Sequence, residues 1–313
     1  GILSNLAEMR AAMVSADALR SFIIIVIGCV LLWLYYSGKL RKSFVIAGIA
    51  ILCVVDMWSV NKRYLHDDQF VPRSAQVDTF KKTQADEIIL QDTDPNYRVL
   101  NFSGDAFSEN KTSYWHKSVG GYHAAKLRRY QEMIDRHISP EMQAAYRAIA
   151  TAGGEMDSVD ASKFRVLNML NTKYFILPAG QGQTVPIENP YTYGNAWFVN
   201  NVEYVDNANQ EIDALNTILP TETAVVDARF KDILKGITTA NKDSLSSVRL
   251  TSYEPNRLVY ETNNSTDGVI VFSEIYYPDG WIATIDGEPA DIARADYILS
   301  LIHISEPTRL ALI

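Results

Sequence analysis

Two long apolar runs near the start of the chain contrast with the mixed polar pattern that follows. Residues 21–38 read SFIIIVIGCVLLWLYYSG and carry no charge, and residues 43–60 read SFVIAGIAILCVVDMWSV and carry a single one, Asp56. A helix needs about 20 mostly apolar residues to cross a bilayer, and about 17 is the lower limit. Two such runs in tandem are rare in the core of a soluble protein. The pattern therefore predicts a membrane protein with a transmembrane hairpin within residues 19–60.

The charges around the hairpin predict its orientation. Lys39, Arg41 and Lys42 crowd the short loop between the runs, and an excess of lysine and arginine marks the cytoplasmic side of a membrane. The lead-in, residues 1–18, and everything after residue 60 are then extracytoplasmic, although basic residues also flank the outer ends. Asp56 is a functional candidate because ionisable side chains inside spans are expensive. It also lies near the predicted outer end, where it can reach water or headgroups.

Helical and strand patterns alternate after the hairpin. Residues 97–102, YRVLNF, have the character of a strand, and residues 122–137 have apolar side chains at helical spacing, with Pro140 marking a break. A second helix is predicted over residues 160–170. KYFIL and NAWFV are predicted as further strands ahead of a short helix capped by asparagine. This alternation predicts a mixed α/β layer domain over residues 61–240.

From about residue 246 the helical patterns stop. SVRLTSY, RLVYET, GVIVFSEIYY and WIATI have strand character, and Asp286-Gly287 is a strong signal for a two-residue hairpin turn. These segments predict a β-sandwich over residues 241–299 that is short of strands. The expected fold is thus a two-helix transmembrane hairpin, an extracytoplasmic α/β domain and an incomplete β-sandwich.

The densest cluster of aromatic, glycine and basic residues is 112–131, TSYWHKSVGGYHAAKLRRYQ. A glycine pair lets a backbone approach a ligand closely, and the start of a helix favours anions. Aromatic rings here could stack on a sugar while the cations meet a phosphate. The candidate binding residues of this cluster are Tyr114, His116, Lys117, Gly120, Gly121, Tyr122, Lys126 and Arg129. The alternative is a capped amphipathic helix with a solvated basic face, which the i,i+4 charges of Arg128, Glu132 and Arg136 favour.

The composition and the absence of common motifs argue against several classes of partner and site. The 313 residues carry a net charge of -8, which argues against a nucleic-acid partner because such proteins are normally basic. The two cysteines, Cys29 and Cys53, lie in the apolar runs, so neither a disulfide framework nor a cysteine zinc site is expected. His116, His123 and His137 do not form a metal motif, and the sequence has no G-x-S-x-G segment. We therefore predict no catalytic residue, no metal ligand and no cofactor within this chain.

Six blocks that follow one another carry a resemblance to a known family. They read SADALRSFIIIVIG, VDMWSVNKRYLHDDQF, TSYWHKSVGGYHAAKLRRYQEMID, LNMLNTKYFIL, GNAWFV and VFSEIYYPDGWIATIDG. Their order and spacing resemble the C-terminal part of the YfhO-type family of bacterial membrane proteins. Members of that family resemble polytopic glycosyltransferases of the GT-C class. Those enzymes transfer a sugar from a polyprenyl-phosphate carrier on the outer face of the membrane.

The resemblance implies that this chain is a C-terminal fragment in the bacterial cytoplasmic membrane, with further spans and the catalytic acid upstream of Gly1. It implies that the partners are membrane lipid, a polyprenyl-phosphate sugar and a cell-envelope glycan acceptor, and it allows a divalent metal in the intact protein. The fragment alone is expected to be inactive. The residues leave open a rival hypothesis, a non-catalytic envelope-binding or scaffold module anchored by the hairpin.

The last stretch departs from the family pattern. Residues 299–309, LSLIHISEPTR, resemble one reading frame of a common sequencing adapter, so residues 300–313 are expected to be a non-native tail outside the fold. A sandwich that stops at Leu299 would leave apolar residues such as Val269, Val271 and Ile275 uncovered at an unpaired edge. The alternative is a genuine divergent strand that Pro307 ends.

Overall fold

The computed structural model describes the backbone of residues 2–74, 80–240, 246–304 and 309–312, and the side chains of residues 4–74, 80–240 and 246–304. The chain divides into two compact units, Gly1–Asp78 and Thr79–Ile313. The larger unit holds most of the predicted α/β domain together with all of the predicted sandwich.

The smaller unit is a helical hairpin. Its helices are α1 (Ile2–Tyr36) and α2 (Lys42–Tyr64), and a 3-10 turn, Asp67–Gln69, follows them. Gly38, at φ 71°, supplies the left-handed residue that the tight turn between the helices requires. The residues predicted as a separate lead-in continue α1 without a break.

Both helices of the hairpin are long and apolar enough to cross a membrane. Their large apolar side chains, among them Trp33, Ile46 and Val54, are exposed. A soluble protein rarely leaves so much contiguous apolar surface in water, because burying that surface is the main favourable term in folding. The prediction of two apolar helices at this end of the chain is confirmed.

The larger unit begins with a three-stranded sheet. Its strands, in order, are β1 (Arg98–Asn101), β2 (Thr172–Gly180) and β3 (Gln183–Glu188). β1 and β2 are parallel although they are distant in sequence, and β2 and β3 form an antiparallel hairpin. The short helices α3 (Gln84–Ile89) and α4 (Lys111–Trp115) pack against β3 and β1 respectively. The predicted strand over residues 97–102 is confirmed as β1.

A six-stranded sheet forms the centre of the larger unit. Its strands, in order, are β4 (Ala196–Val199), β9 (Gly268–Ile275), β13 (Leu299–Ile304), β12 (Ala293–Ala295), β6 (Thr223–Asp227) and β5 (Asn201–Val205). β4 pairs with β9 in an antiparallel register from Ala196↔Phe272 to Val199↔Val269. The sheet therefore joins strands from before and after residue 240. The predicted boundary between an α/β domain and a separate sandwich is replaced by one unit.

A five-stranded sheet covers one face of this central sheet. Its strands, in order, are β11 (Glu288–Ala290), β10 (Ala283–Ile285), β14 (Arg309–Leu312), β8 (Arg257–Asn263) and β7 (Ser247–Glu254). Leu258 and Tyr260 on β8 pack with Ile270 and Phe272 on β9 in one apolar core. The predicted hairpin turn joins β10 to β11, with Asp286 and Gly287 at φ 50° and 92°.

Strand β9 is buried on both faces, which explains its nearly continuous apolar sequence. Ile270 and Phe272 face the five-stranded sheet, whereas Val269 and Val271 belong to a second core with the helices of the larger unit. A short apolar run of this kind is typical of a strand with two buried faces. The two packed sheets are thus two layers of a three-layer arrangement, and the helices form the third layer.

The tail residues lie inside the sheet. β13 occupies the position between β9 and β12, and Leu301 and Ile302, which pair with Val271 and Ile270, are fully buried. The structure therefore places residues 299–304 within the fold, and the expected unpaired edge at Val269 and Val271 does not occur. The physical reason is that LSLIHI has the apolar content that a strand with two buried faces needs. The adapter resemblance concerns the origin of these residues and stays a prediction.

One long helical segment replaces the helix and break predicted around Pro140. It consists of α5 (Arg128–Met133), a π turn (Ile134–Ile138) and α6 (Ser139–Thr151). Pro140 lies in the first turn of α6, where the N–H that proline lacks is least needed. The helix also begins at Arg128 and not at residue 122, so the glycine pair does not lead directly into it.

The remaining predicted helices are confirmed in place but are shorter. Residues 160–170 form a 3-10 turn, Ala161–Phe164, followed by α7 (Arg165–Met169). The helix predicted behind an asparagine is α8 (Ala208–Ala214), and the side chain of Asn207 caps it by accepting hydrogen bonds from the backbone N–H groups of Asn209 and Gln210.

Candidate functional site

A cleft of about 320 Å³ opens where the parallel strands β1 and β2 end. Its walls come from the segment leading into α3, from α4, from the end of β1 and from the β2–β3 hairpin. In open sheets the carboxyl ends of parallel strands are the usual place for ligands, because the loops beyond them leave a crevice. We call this site the parallel-strand cleft.

Asn101, the last residue of β1, organises the polar wall of the cleft. Its Oδ1 accepts hydrogen bonds from the backbone N–H of Ser103 at 2.8 Å and from its Oγ at 2.6 Å. Its Nδ2 donates to Oγ1 of the buried Thr112 at 3.0 Å. One amide and two hydroxyls therefore stand in fixed positions, and such groups exchange hydrogen bonds with ligand hydroxyls.

Trp115 provides the apolar wall. Its indole Nε1 donates to the carbonyl oxygen of Phe80 at 3.0 Å, which ties α4 to the segment before α3. Tyr114 stacks on Phe80 with ring centroids 4.5 Å apart and meets Trp115 edge-on at 4.8 Å. The Lys82 ammonium lies 4.5 Å from the centre of the Trp115 ring. The indole is thus held from several sides and keeps one orientation.

Asp86 is a carboxylate that also lines the cleft. Its Oδ1 lies 2.9 Å from Nε2 of the buried His116, and its Oδ2 accepts hydrogen bonds from the backbone N–H and the Oγ1 of Thr83. Burial by itself would raise the pKa of Asp86, but the hydrogen bonds from His116 and Thr83 outweigh it and hold the pKa below its usual value. A fixed negative charge therefore borders the cleft at neutral pH.

Thr184 on β3 contributes a hydroxyl that has no partner. The residue is 8 % exposed and lines the cleft, and its Oγ1 makes no hydrogen bond within the part of the chain that the structure describes. A buried polar atom left unpaired costs about 1–3 kcal/mol. A ligand hydroxyl that reached Thr184 would therefore be stabilised. Lys81 and Lys111 add exposed cations to the lining.

The residues predicted from the sequence do not line this cleft, although their neighbours Thr112 and Trp115 do. The reason is helix geometry. Thr112 and Trp115 are three residues apart on α4 and share a face, whereas Tyr114 lies on another face. Tyr114 and His116 do not line the cleft themselves, but Tyr114 stacks on the lining residue Phe80 and His116 is hydrogen-bonded to Asp86. The predicted binding residues therefore lie outside this cleft, and their role in binding stays a prediction.

The glycine pair has a packing role. A Cβ on Gly120 would come within 2.0 Å of the carbonyl oxygen of Ala106. Gly121 has a φ of 104°, and its N–H donates to the same oxygen at 2.6 Å. Gly120 is therefore required by the close approach of the Ala106 backbone and Gly121 by its left-handed backbone conformation, so both glycines have a structural role. Tyr122, which follows them, is exposed.

The predicted cations point to different places and do not form one phosphate site. Lys117 Nζ donates to Asn96 and lies 3.6 Å from the centroid of the Tyr253 ring, and burial lowers its pKa to about 8. Lys126 lies 5.5 Å from the Phe107 ring centroid.

Arg129 is engaged in a buried ion pair. Its Nη1 donates to Oε2 of the fully buried Glu211 at 3.1 Å, and its guanidinium lies 4.4 Å from the centre of the Tyr297 ring. Arg294 holds the same carboxylate from the other side, with its Nη2 3.1 Å from Oε2. Arg129, which is only partly buried, therefore supplies the compensating charge that a buried carboxylate needs.

Asp56 is paired within the hairpin. Its Oδ1 lies 3.0 Å from Nε of Arg20, and Asp17 lies 2.9 Å from Nη1 of Arg20 and 2.6 Å from Nη1 of Arg63. These four charges link α1 to α2 at the end opposite the turn. Asp56 therefore compensates the charge of Arg20, a role that the sequence did not predict.

Sequence reasoning missed Asp86, Asn101 and Thr184 as lining residues of the cleft. Asn101 had a usable signal, because a polar residue closes the apolar strand YRVLN at the end where ligands bind in parallel sheets. Asp86 follows Thr83 at the spacing of a capping box, which predicts a helix start but no ligand. Thr184 gave no signal, since its position depends on the pairing of β2 with β3.

Within the described residues, no group of three or more His, Cys, Asp or Glu side chains is placed to hold a metal ion. The parallel-strand cleft can bind a polyhydroxylated molecule through hydrogen bonds and ring stacking. Compared with known proteins, the chain matches no family model, no curated protein and no solved structure.

Proposed function

We propose that this chain is a membrane-anchored envelope module that binds a saccharide in the parallel-strand cleft. In this proposal it belongs to a YfhO-type, GT-C-like glycosyltransferase of the bacterial cytoplasmic membrane, which moves a sugar from a polyprenyl-phosphate carrier to a cell-envelope acceptor. The observation that carries the binding role is the pairing of the Trp115 ring with fixed amide, hydroxyl and carboxylate groups in one cleft.

Saccharides suit this combination of groups. A sugar ring offers an apolar face of C–H groups to an indole and a rim of hydroxyls to hydrogen-bonding side chains. Asp86 is an acceptor for such a hydroxyl, while Asn101 and Thr112 can donate or accept. Lys81 and Lys111 would favour a sugar that carries an acidic substituent or a phosphate.

Membrane anchoring rests on the two apolar helices. The basic loop between them supports a topology with that loop in the cytoplasm and the larger unit on the outer side. Membrane lipid and a glycan acceptor of the envelope are then the natural partners. Because this side of the membrane is where GT-C enzymes act, the topology agrees with the proposed parent activity.

We place no catalytic residue in this chain. Asp86 is a poor general acid, because it stays ionised and its oxygens already accept hydrogen bonds from His116 and Thr83. The proposal therefore assigns the transfer step, together with any divalent metal, to a part of the parent upstream of Gly1.

The engagement of Asp86 also favours a second candidate, a non-catalytic envelope-binding module. The two candidates differ in whether the full parent protein transfers sugar. Transfer activity in membranes that contain the parent, absent when its upstream part is removed, supports the enzyme. Saccharide binding by a parent that transfers nothing supports the binding module.

Saccharide binding is tested by titrating free monosaccharides and their acidic derivatives into the intact chain in nanodiscs. Saturation-transfer NMR measures the binding at each step. We expect Trp115→Ala to reduce the affinity about tenfold or more, since stacking and wall burial are both lost, and Trp115→Phe to restore part of it. Tyr122→Ala is the matched control, because Tyr122 is an exposed aromatic residue outside the cleft. Equal losses in Trp115→Ala and Tyr122→Ala would sink the assignment of the cleft.

A further inference from the structure

A second pocket, of about 230 Å³, lies where the long helical segment bulges. It is bordered by the π turn, by the first turn of α6, by the start of α7 and by the loop after α8. Its lining is dominated by charged side chains, Arg136, Glu141, Lys163 and Arg165. None of these residues lines the parallel-strand cleft. We call this site the basic pocket.

Arg165 is the most buried cation of the basic pocket. Its Nη1 donates to the carbonyl oxygen of Ile218 at 3.0 Å, whereas its Nε is buried and has no hydrogen-bond partner within the described residues. Lys163, two residues earlier, is exposed. A guanidinium with an unsatisfied N–H beside an exposed ammonium is an arrangement that favours an oxyanion.

Arg136 lies in the π turn and lines the basic pocket. Its Nη1 donates to Oδ1 of Asp213 at 2.9 Å, and both side chains are about half exposed or more. Such an exposed pair is worth little, about 0–1 kcal/mol, so Arg136 can turn to an anion at low cost. π turns are rare within helices and recur at functional sites, where they change the direction of a side chain.

The acidic and neutral groups around the pocket do not cancel its positive charge. The oxygens of Glu141 accept hydrogen bonds from the backbone N–H groups of Val166 and Leu167 at 3.0 and 2.9 Å, and burial raises its pKa to about 7. Burial also lowers the pKa of His137, so that imidazole is neutral at pH 7. The pocket therefore offers three cations against one carboxyl group that is partly protonated and two exposed aspartates, Asp213 and Asp160, of which Asp160 interacts with Lys163 and Arg165.

We propose that the basic pocket binds a phosphate group, held by Arg136, Lys163 and Arg165. A pocket of this size takes a phosphate monoester together with the first atoms of its substituent. The substituent can be a sugar or a lipid chain, and both share the dianionic phosphate. This proposal is independent of saccharide binding in the parallel-strand cleft, because the two sites share no lining residue.

The first experiment titrates inorganic phosphate into the intact chain in nanodiscs of zwitterionic lipid, at constant ionic strength, by calorimetry. We expect saturable binding that Lys163→Ala and Arg136→Gln each weaken about tenfold, the effect of one hydrogen bond to a charged group. Arg128→Gln is the charge-matched control, since its side chain is 91 % exposed and lies outside the pocket. Melting curves of all three variants verify that they fold.

The second experiment distinguishes the two sources of phosphate by competition with glucose 1-phosphate and with hexyl phosphate. Displacement by either supports the pocket, and the stronger competitor identifies the substituent. Trp115→Ala should leave phosphate affinity unchanged, which separates this proposal from the saccharide cleft. The proposal is overturned if phosphate does not bind saturably, or if Lys163→Ala and Arg136→Gln bind it as tightly as the Arg128→Gln control.

Discussion

Two carboxyl groups of the larger unit, Asp86 and Glu141, lie in different surroundings, and their pKa values are shifted in opposite directions. For both groups burial is the largest influence on the pKa and raises it. Asp86 nevertheless has a lowered pKa, because His116 and Thr83 donate hydrogen bonds to its oxygens. Glu141 receives two backbone N–H groups, and its pKa still rises to about 7. The comparison teaches that the sign is set by the balance between burial and the hydrogen bonds that each carboxylate accepts.

The opposite shifts give opposite pH dependences of stability. Asp86 has a folded pKa below its ordinary value of 3.8, so its contribution is complete above that value and is lost as the pH falls through the folded pKa. Glu141 has a folded pKa of about 7 against an ordinary 4.5. The folded protein then binds more protons than the unfolded chain between those values, and stability falls as the pH rises from 4.5 to 7.

The largest expected effect comes from removing the Asp86 carboxylate. Asp86→Ala takes away the acceptor for His116 and for two groups of Thr83, and it should lower the free energy of unfolding by about 3 kcal/mol. Thermal unfolding in nanodiscs, followed by tryptophan fluorescence, measures the loss. A variant as stable as the wild type would show that these hydrogen bonds contribute no net stability.

The next effect is the pH dependence due to Glu141. The wild type should lose on the order of 2 kcal/mol of stability between pH 4.5 and 7 through this residue. In Glu141→Gln that slope should disappear, whatever the change in stability at a single pH, because glutamine does not titrate. The measurement is a series of denaturant curves across this pH range. An unchanged slope in the variant would assign the titration to another group.

A smaller effect is expected from the cap of α3. Thr83→Ala removes the hydroxyl that accepts from the Asp86 N–H and donates to the Asp86 carboxylate, which should cost about 1 kcal/mol. It should also raise the pKa of Asp86, so that acid destabilises the variant at a higher pH than the wild type. Thr251→Ala, on the distant strand β7, is the control for loss of a threonine hydroxyl. If acid destabilised Thr83→Ala at the same pH as the wild type, the Thr83 hydroxyl would have no influence on the pKa of Asp86.

The smallest effect on stability is expected from Lys163→Ala in the basic pocket. Lys163 is exposed and makes no ion pair within the described residues, so the free energy of unfolding should change by less than about 0.5 kcal/mol. Phosphate affinity should nevertheless fall. This split between stability and binding is the signature of a ligand-binding residue, and a parallel loss of both would indicate a structural role instead.

Much of the local structure was predictable because it depends on neighbouring residues. The apolar runs predict α1 and α2, the strand character of YRVLNF predicts β1, and Asp286-Gly287 predicts the turn between β10 and β11. Pro140 was misinterpreted as a break, since its effect depends on whether a helix starts or continues at that point. The sequence could not decide this, because the preceding π turn forms in the context of the packed core.

The domain boundary and the site were less predictable because both depend on residues distant in sequence. β4 and β9 pair across about 70 positions of chain, so a change of pattern near residue 240 was mistaken for a boundary. The stretch 112–131 did contain Thr112 and Trp115, but its glycines and Arg129 serve packing with Ala106 and Glu211. Charge and aromatic density reveal an interesting segment and do not reveal which face of it is free.

By itself, the sequence determined the apolar helices, about half of the strands, the Asp286-Gly287 turn and the type of residue available for binding. Those features follow from local periodicity and backbone preference. Only the tertiary structure decided that β13 joins β9 to β12 within the central sheet, that Asn101 and Thr184 meet at one cleft, and that the pKa values of Asp86 and Glu141 shift in opposite directions. The physical reason is that sheet pairing, burial and electrostatic shifts depend on groups that the chain brings together only when it folds.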